Sequence, residues 1–216
     1  MIPISDDNSS RRSTPVVTYL LIILNFAAFY IELNNSVAFI ERWSVVPRHL
    51  LTNPIGNFVT IFTAMFMHGG WLHLLGNMLY LWIFGDNVED RFGHGGFLIF
   101  YLLCGVVATL AQAAFDPRSS IPNLGASGAI AGVLASYLVM FPNRRVNVLL
   151  GFIVIPMSAL IVIGFWFVLQ LLSVGSITSA GQAGGVAYMA HVSGFVAGLL
   201  LTSVFRNDGG AQYRLR

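Results

Sequence analysis

Apolar runs separated by short polar breaks dominate this chain. Val16–Leu33 is the first of them, interrupted only by Asn25 and Glu32. About 20 apolar residues cross a hydrocarbon core about 30 Å thick, so the run predicts a first spanning helix. It is too long for a signal-peptide core and no small-residue cleavage site follows, which makes it a retained helix. Further helices are predicted over residues 71–84, 95–114, 127–141, 148–172 and 186–205. The helix over 148–172 contains Pro156, which predicts a kink.

The breaks have characters of their own. Residues 1–14 are polar, carry Arg11 and Arg12, and have nothing to pack, which predicts a short mobile tail. Residues 34–67 scatter Glu41, Arg42, Trp43, Pro47, Arg48 and Pro54 among apolar positions, a mixture suited to the membrane interface. Residues 85–93 read as a charged, solvated turn in which Glu89 and Arg91 are able to tie helix ends together. Residues 173–185 are rich in Gly, Ser and Ala without a charge and predict a flexible loop. The expected organisation is a tail over 1–15, a six-helix membrane domain over 16–206 and a polar basic tail over 207–216.

Composition agrees with a polytopic membrane protein. Of 216 residues, 56% are hydrophobic and only 9% charged, and the mean hydropathy is +0.75, whereas soluble domains run at roughly 25% charged. Six spans use up this length and predict an all-α bundle without a second domain. The net charge of +2 is too small to argue for a nucleic-acid partner. The single Cys104 lies in an apolar run, so no internal disulfide is possible.

Six spans put both termini on one side. With that side cytoplasmic, Arg11, Arg12, Arg91, Arg144, Arg145, Arg206, Arg214 and Arg216 lie inside, against Arg42, Arg48 and Arg118 outside. This distribution obeys the positive-inside rule, and the opposite topology inverts it. Depths follow from the helical rise. Ser127 and His191 each stand roughly 21 Å above the cytoplasmic ends of their helices, and His73 stands roughly 18 Å above its own. In a core of about 30 Å, three polar side chains from three helices meet one plane, some 10 Å below the outer surface.

The surrounding pattern bears on what they do there. Gly125-Ala126-Ser127-Gly128 allows a sharp loop-to-helix turn with close backbone approach, although the same pattern serves plain helix packing. Gly128, Gly132 and Ser136 form one small-residue row, and Ala190, Gly194 and Gly198 form another beside His191. Two such rows let helices approach closely enough to bring the imidazole within reach of the hydroxyl. His73 and Asn77 share a helical face at i, i+4. Each residue also has a plain reading: a histidine bonded to a neighbouring helix, a packing amide, or, for His68, an interfacial side chain. Their common depth favours function, because intramembrane polar groups are costly and mark working sites.

Three segments carry a resemblance: His68-Gly69-Gly70-Trp71-Leu72-His73-Leu74-Leu75-Gly76-Asn77, Gly125-Ala126-Ser127-Gly128, and Ala190-His191-Val192-Ser193-Gly194-Phe195-Val196-Ala197-Gly198. In this order and on these helices they resemble the rhomboid family of intramembrane serine proteases, over residues 58 to 205. The resemblance implies a six-helix rhomboid-like bundle with a Ser–His dyad that cleaves transmembrane protein substrates near the outer face of the lipid bilayer. Ser127 is then the nucleophile and His191 the general base. Gly128, His73 and Asn77 stabilise the oxyanion, and His68 lines the hydrated outer side of the site. No cofactor and no metal are implied. A water-filled cavity is implied, with residues 173–185 as its lid and the kinked fifth helix as a lateral entrance. A bacterial inner membrane follows by the same analogy.

Two positions depart from the family pattern. Val59-Thr60 stands where many members have Trp-Arg, and Ala131 stands where some have a Tyr that stacks on the catalytic imidazole. Other classes fit less well. An inactive relative that only grips client helices usually lacks the serine or the histidine. A zinc protease built on His68, His73 and His191 has no His-Glu-x-x-His pair. A channel or transporter requires polar residues along a whole pathway.

Overall fold

The computed structural model describes residues 1–180 and 187–206. A first strand β1 (Ile2–Asp6) precedes α1 (Val16–Leu33), whose bounds match the first apolar run. The interfacial stretch folds into short helices α2 (Val37–Trp43), α3 (Pro47–Thr52), α4 (Pro54–Asn57) and α5 (Thr60–Thr63), then a 3-10 turn at Ala64–Phe66. Pro47 and Pro54 each open one of these helices, where a missing N–H costs nothing. The longer elements follow: α6 (Trp71–Phe92), α7 (His94–Phe115), α8 (Ser127–Met140), β2 (Arg145–Leu150), β3 (Ile153–Ser158), α9 (Ala159–Ala180) and α10 (Tyr188–Phe205).

The centre of the bundle is α8, buried from Gly128 through Tyr137 and contacted by α6, α7, α9 and α10. Its small-residue row fits that of α10. A Cβ on Gly198 would collide with the Gly132 carbonyl oxygen, and Ser136 Oγ lies 2.6 Å from Thr202 Oγ1. Against α7, a Cβ on Gly132 would come within 2.5 Å of Cys104 Sγ, so the lone thiol is packing.

Among the described residues, α1, α7 and α10 are long and apolar enough to cross a membrane. Pro54–Phe66 and α6 meet the same test as a pair bent by 78°, and Ser127–Met140 and Ala159–Val174 are shorter apolar helices. The chain is an integral membrane protein.

Five expectations are corrected. The bundle is mostly helical rather than all-α, because β1, β2 and β3 form an antiparallel three-stranded sheet in that order. Residues 148–158, read as the start of a kinked helix, supply most of β2 and β3, and Pro156 lies in β3 opposite Asn147. The turn is made by Gly151, at φ 60°, with Phe152. Val146 and Val148 on β2 face the core, and the β-branched run Ile153-Val154-Ile155 favours the strand.

Residues 85–92, expected as a solvated turn, continue α6 as helix, and Glu89 within them is fully buried. Its carboxylate accepts from Val17 N (2.9 Å), Thr18 N (2.7 Å) and Thr18 Oγ1 (2.7 Å), capping the N-terminus of α1, where Pro15 has no side-chain cap to offer.

Residues 1–14, expected to have nothing to pack, are tied down at many points. β1 pairs with β2, and Arg11 Nη1 reaches Asp86 Oδ2 at 2.8 Å. Ser13 N and Oγ both donate to Asp90 Oδ1, at 2.8 and 2.7 Å. Residues 173–180, expected in a loop, belong to α9; residues 181–185, the rest of the expected lid, lie outside the described residues, as does 207–216.

Candidate active site

The loop after α7 enters α8 through Gly125, held at φ 127° in a conformation that favours glycine. Its N–H donates to the Ala64 carbonyl at 2.8 Å, stapling the loop to the 3-10 turn before α6. A Cβ there would stand 2.8 Å from His73 Nε2, so the glycine is also required by close approach. Ser127 follows as the first residue of α8, half-buried, with Gly128 behind it against Ala108 and Ala190. The N–H groups of this first turn have no partners within the helix.

His191 sits in the first turn of α10. That turn is pinned by Ala190 N, which donates to Gln112 Oε1 of α7 at 3.1 Å, and by the contact of Gly194 with Gly128. The ring bridges two helices: Nε2 lies 2.7 Å from Ser127 Oγ on α8, and Nδ1 lies 2.8 Å from Gln170 Oε1 on α9. Trp166 and Tyr188 flank it, with ring centroids 5.9 and 6.2 Å away.

The third wall is α6. His73 Nδ1 accepts from Gly69 N at 3.3 Å, which leaves Nε2 to carry the proton of the neutral ring. One turn later Asn77 is buried, and its Nδ2 has no hydrogen-bond partner among the described residues. A cavity of about 540 Å³ is lined by Ser127, His191, His73, Asn77, Tyr80 and Trp166, among others. One wall thus carries a hydroxyl bonded to an imidazole, and another carries two N–H donors, one of them unsatisfied. That set suits attack on a carbonyl with stabilisation of the resulting oxyanion.

Ser127, His191, His73, Asn77 and Gly128 therefore converge. His68 does not line the cavity: its ring is buried edge-on to His73 at 5.0 Å, and its backbone N–H donates to Glu32 Oε2 at 3.0 Å. Gln170 and Trp166 are the contacts that the sequence reading missed. The available signal was an amide in an otherwise apolar run, since an intramembrane polar side chain requires a partner.

Known proteins bear on this arrangement. Residues 56–208 match the Rhomboid domain family. The chain is 32% identical over 196 residues to the Rhomboid protease GluP of Bacillus subtilis (strain 168), covering 88% of this chain and 36% of that protein. It is 30% identical over 148 residues to Rhomboid-like protein 11, chloroplastic, of Arabidopsis thaliana, covering 64% of this chain and 49% of the relative. It is 27% identical over 192 residues to Rhomboid protein 1, mitochondrial, of Saccharomyces cerevisiae, covering 85% and 51% respectively. The chain thus spans about a third to a half of the length of these three relatives.

Proposed function

The chain belongs to the rhomboid family, and from that premise we propose that it is an intramembrane serine protease whose nucleophile is Ser127 and whose general base is His191. The observation that carries this reading is the 2.7 Å contact between Ser127 Oγ and His191 Nε2 on the wall of a cavity. Ser127 Oγ attacks the carbonyl carbon of a substrate peptide bond while His191 Nε2 takes its proton. The tetrahedral oxyanion is held by the first-turn N–H groups around Gly128 and by the Asn77 and His73 donors. Donors fixed in such a site each lower the barrier by about 3 kcal/mol. Collapse breaks the C–N bond, and His191 returns the proton to the leaving amine. Water then attacks the acyl-enzyme with His191 again as base, releasing the acid and restoring the serine.

The substrates are transmembrane segments of other proteins. The bundle crosses the membrane six times, with both termini cytoplasmic, in a bacterial inner membrane. Helix α8 is consistent with this: 14 residues rise only about 21 Å, so a helix ending at the cytoplasmic interface starts well inside a core of about 30 Å. His68 acts from behind His73 rather than on the cavity wall.

The test is labelling of the purified protein in detergent with a serine-directed fluorophosphonate, alongside cleavage of a helix-destabilised single-span substrate. Ser127→Ala and His191→Ala are each expected to abolish cleavage, and Ser127→Ala to abolish labelling. Cleavage that survives Ser127→Ala but stops on chelation would replace this reading with a metal-dependent one.

A further inference from the structure

His191 makes its second polar contact to a residue that neither the dyad nor the family motifs account for. Gln170 is a half-buried amide on α9, a helix otherwise apolar over Ala159–Leu172 apart from the small Gly164. Its carbonyl oxygen lies 2.8 Å from His191 Nδ1. The orientation of an amide is ordinarily ambiguous, because its O and N ends look alike. Here the other end resolves it. Gln170 Nε2 lies 3.4 Å from the carbonyl oxygen of Trp166, a group that can only accept, so the NH₂ faces Trp166 and the oxygen faces the imidazole.

We infer that Gln170 is a positioning residue for the proposed protease reaction: its carbonyl oxygen accepts the Nδ1 proton of His191, holding the ring in the tautomer whose Nε2 is free to take the proton of Ser127. This rests on the dyad reading above. An oxygen at Nδ1 requires a proton there, and in a neutral ring that leaves a lone pair on Nε2, facing Ser127 Oγ at 2.7 Å. The opposite tautomer sets a donor against the serine hydroxyl and leaves the Gln170 oxygen facing a lone pair. When His191 becomes positively charged in the transition state, its Nδ1–H bond to Gln170 strengthens, because one partner is now ionised. Trp166, one turn before Gln170 on the same face of α9, closes one side of the ring. Ala131, one turn after Ser127 on α8, is too small to stack on the imidazole. Orientation of the ring therefore rests on α9.

The experiment compares wild type, Gln170→Leu and Gln170→Glu in detergent, with His191 followed by ¹⁵N NMR of histidine-labelled protein. Gln170→Leu, which keeps the volume and removes the acceptor, is expected to lower kcat by about tenfold to a hundredfold with KM within about twofold, the effect of losing an orienting partner. Gln170→Glu keeps an acceptor and is expected to restore most of kcat. Wild-type His191 should show the Nδ1–H tautomer. An Nε2–H signature in wild type overturns the inference, even if Gln170→Leu fails to fold, as does wild-type kcat in a folded Gln170→Leu. Ser127→Ala and His191→Ala run in parallel: cleavage surviving them sinks the dyad itself, whereas their inactivity beside a fully active Gln170→Leu sinks only the role of Gln170.

Discussion

Gly194 and Gly128 are in backbone contact: a Cβ on Gly194 would overlap the Gly128 carbonyl oxygen, and both residues lie within a turn of the proposed dyad. No side-chain rotation relieves such a collision, so the helices themselves must separate. Gly194→Ala is expected to destabilise the bundle by about 1–3 kcal/mol, the usual range for overpacking. The same displacement moves His191 from Ser127. Thermal unfolding and fluorophosphonate labelling should therefore both fall, and labelling should fall even in the fraction that remains folded.

Gly125→Ala is expected to act more locally. The residue must hold φ 127° and its new methyl group would press on His73 Nε2 at 2.8 Å. Strain of this kind costs about 1–3 kcal/mol and falls on the segment that delivers Ser127. Cleavage should drop more than unfolding temperature does, which parallel activity and melting measurements will read.

Glu89→Ala should do the reverse. The carboxylate satisfies two backbone N–H groups and one hydroxyl at the start of α1, where the N-cap residue Pro15 supplies no side-chain cap. Leaving these donors unpaired in a buried place is expected to cost about 3 kcal/mol. Stability in a denaturant titration should fall by that order, with specific activity of the folded molecules retained.

The first strand should respond to pH. Burial lifts the Asp6 carboxyl from 3.8 to about 6, against the opposing bond from the Tyr137 hydroxyl at 2.6 Å; Asp86 nearby raises it further and Arg144 lowers it. A carboxyl whose value is raised on folding binds its proton more tightly in the folded state. Its stabilising contribution is full below pH 3.8 and is lost as pH rises through about 6. Hydrogen exchange, corrected for intrinsic rates, should show residues 2–6 better protected at pH 5 than at pH 8. Asp6→Asn should flatten that difference.

These four sites also mark what can be read from the sequence. The helix ends at residues 33, 115 and 140 are legible because polar or proline-bearing breaks follow them. The approach of Ser127 to His191 is legible because two small-residue rows at helical spacing encode close backbones. The hairpin over 145–158 is not, since a continuous apolar run carries no period that separates strand from helix. The continuation of α6 through Glu89 is hidden for a different reason. Its burial rests largely on donors from residues 17 and 18, distant in sequence, beside the nearby His94 ring. Gln170 is hidden likewise, its partner being 21 residues away on another helix.

The sheet that ties β1 to β2 has a consequence for biosynthesis. Ser5 meets Asn147 across 142 residues of chain, so the first of these three strands to leave the ribosome finds its partner only after α8 has been made. At about 5–20 residues per second the wait is roughly 7 s or longer. Through that interval the backbone of residues 2–6 offers an unpaired edge to any neighbouring nascent chain. Closing it is a late step of assembly, a latch thrown once the central helix is already in place.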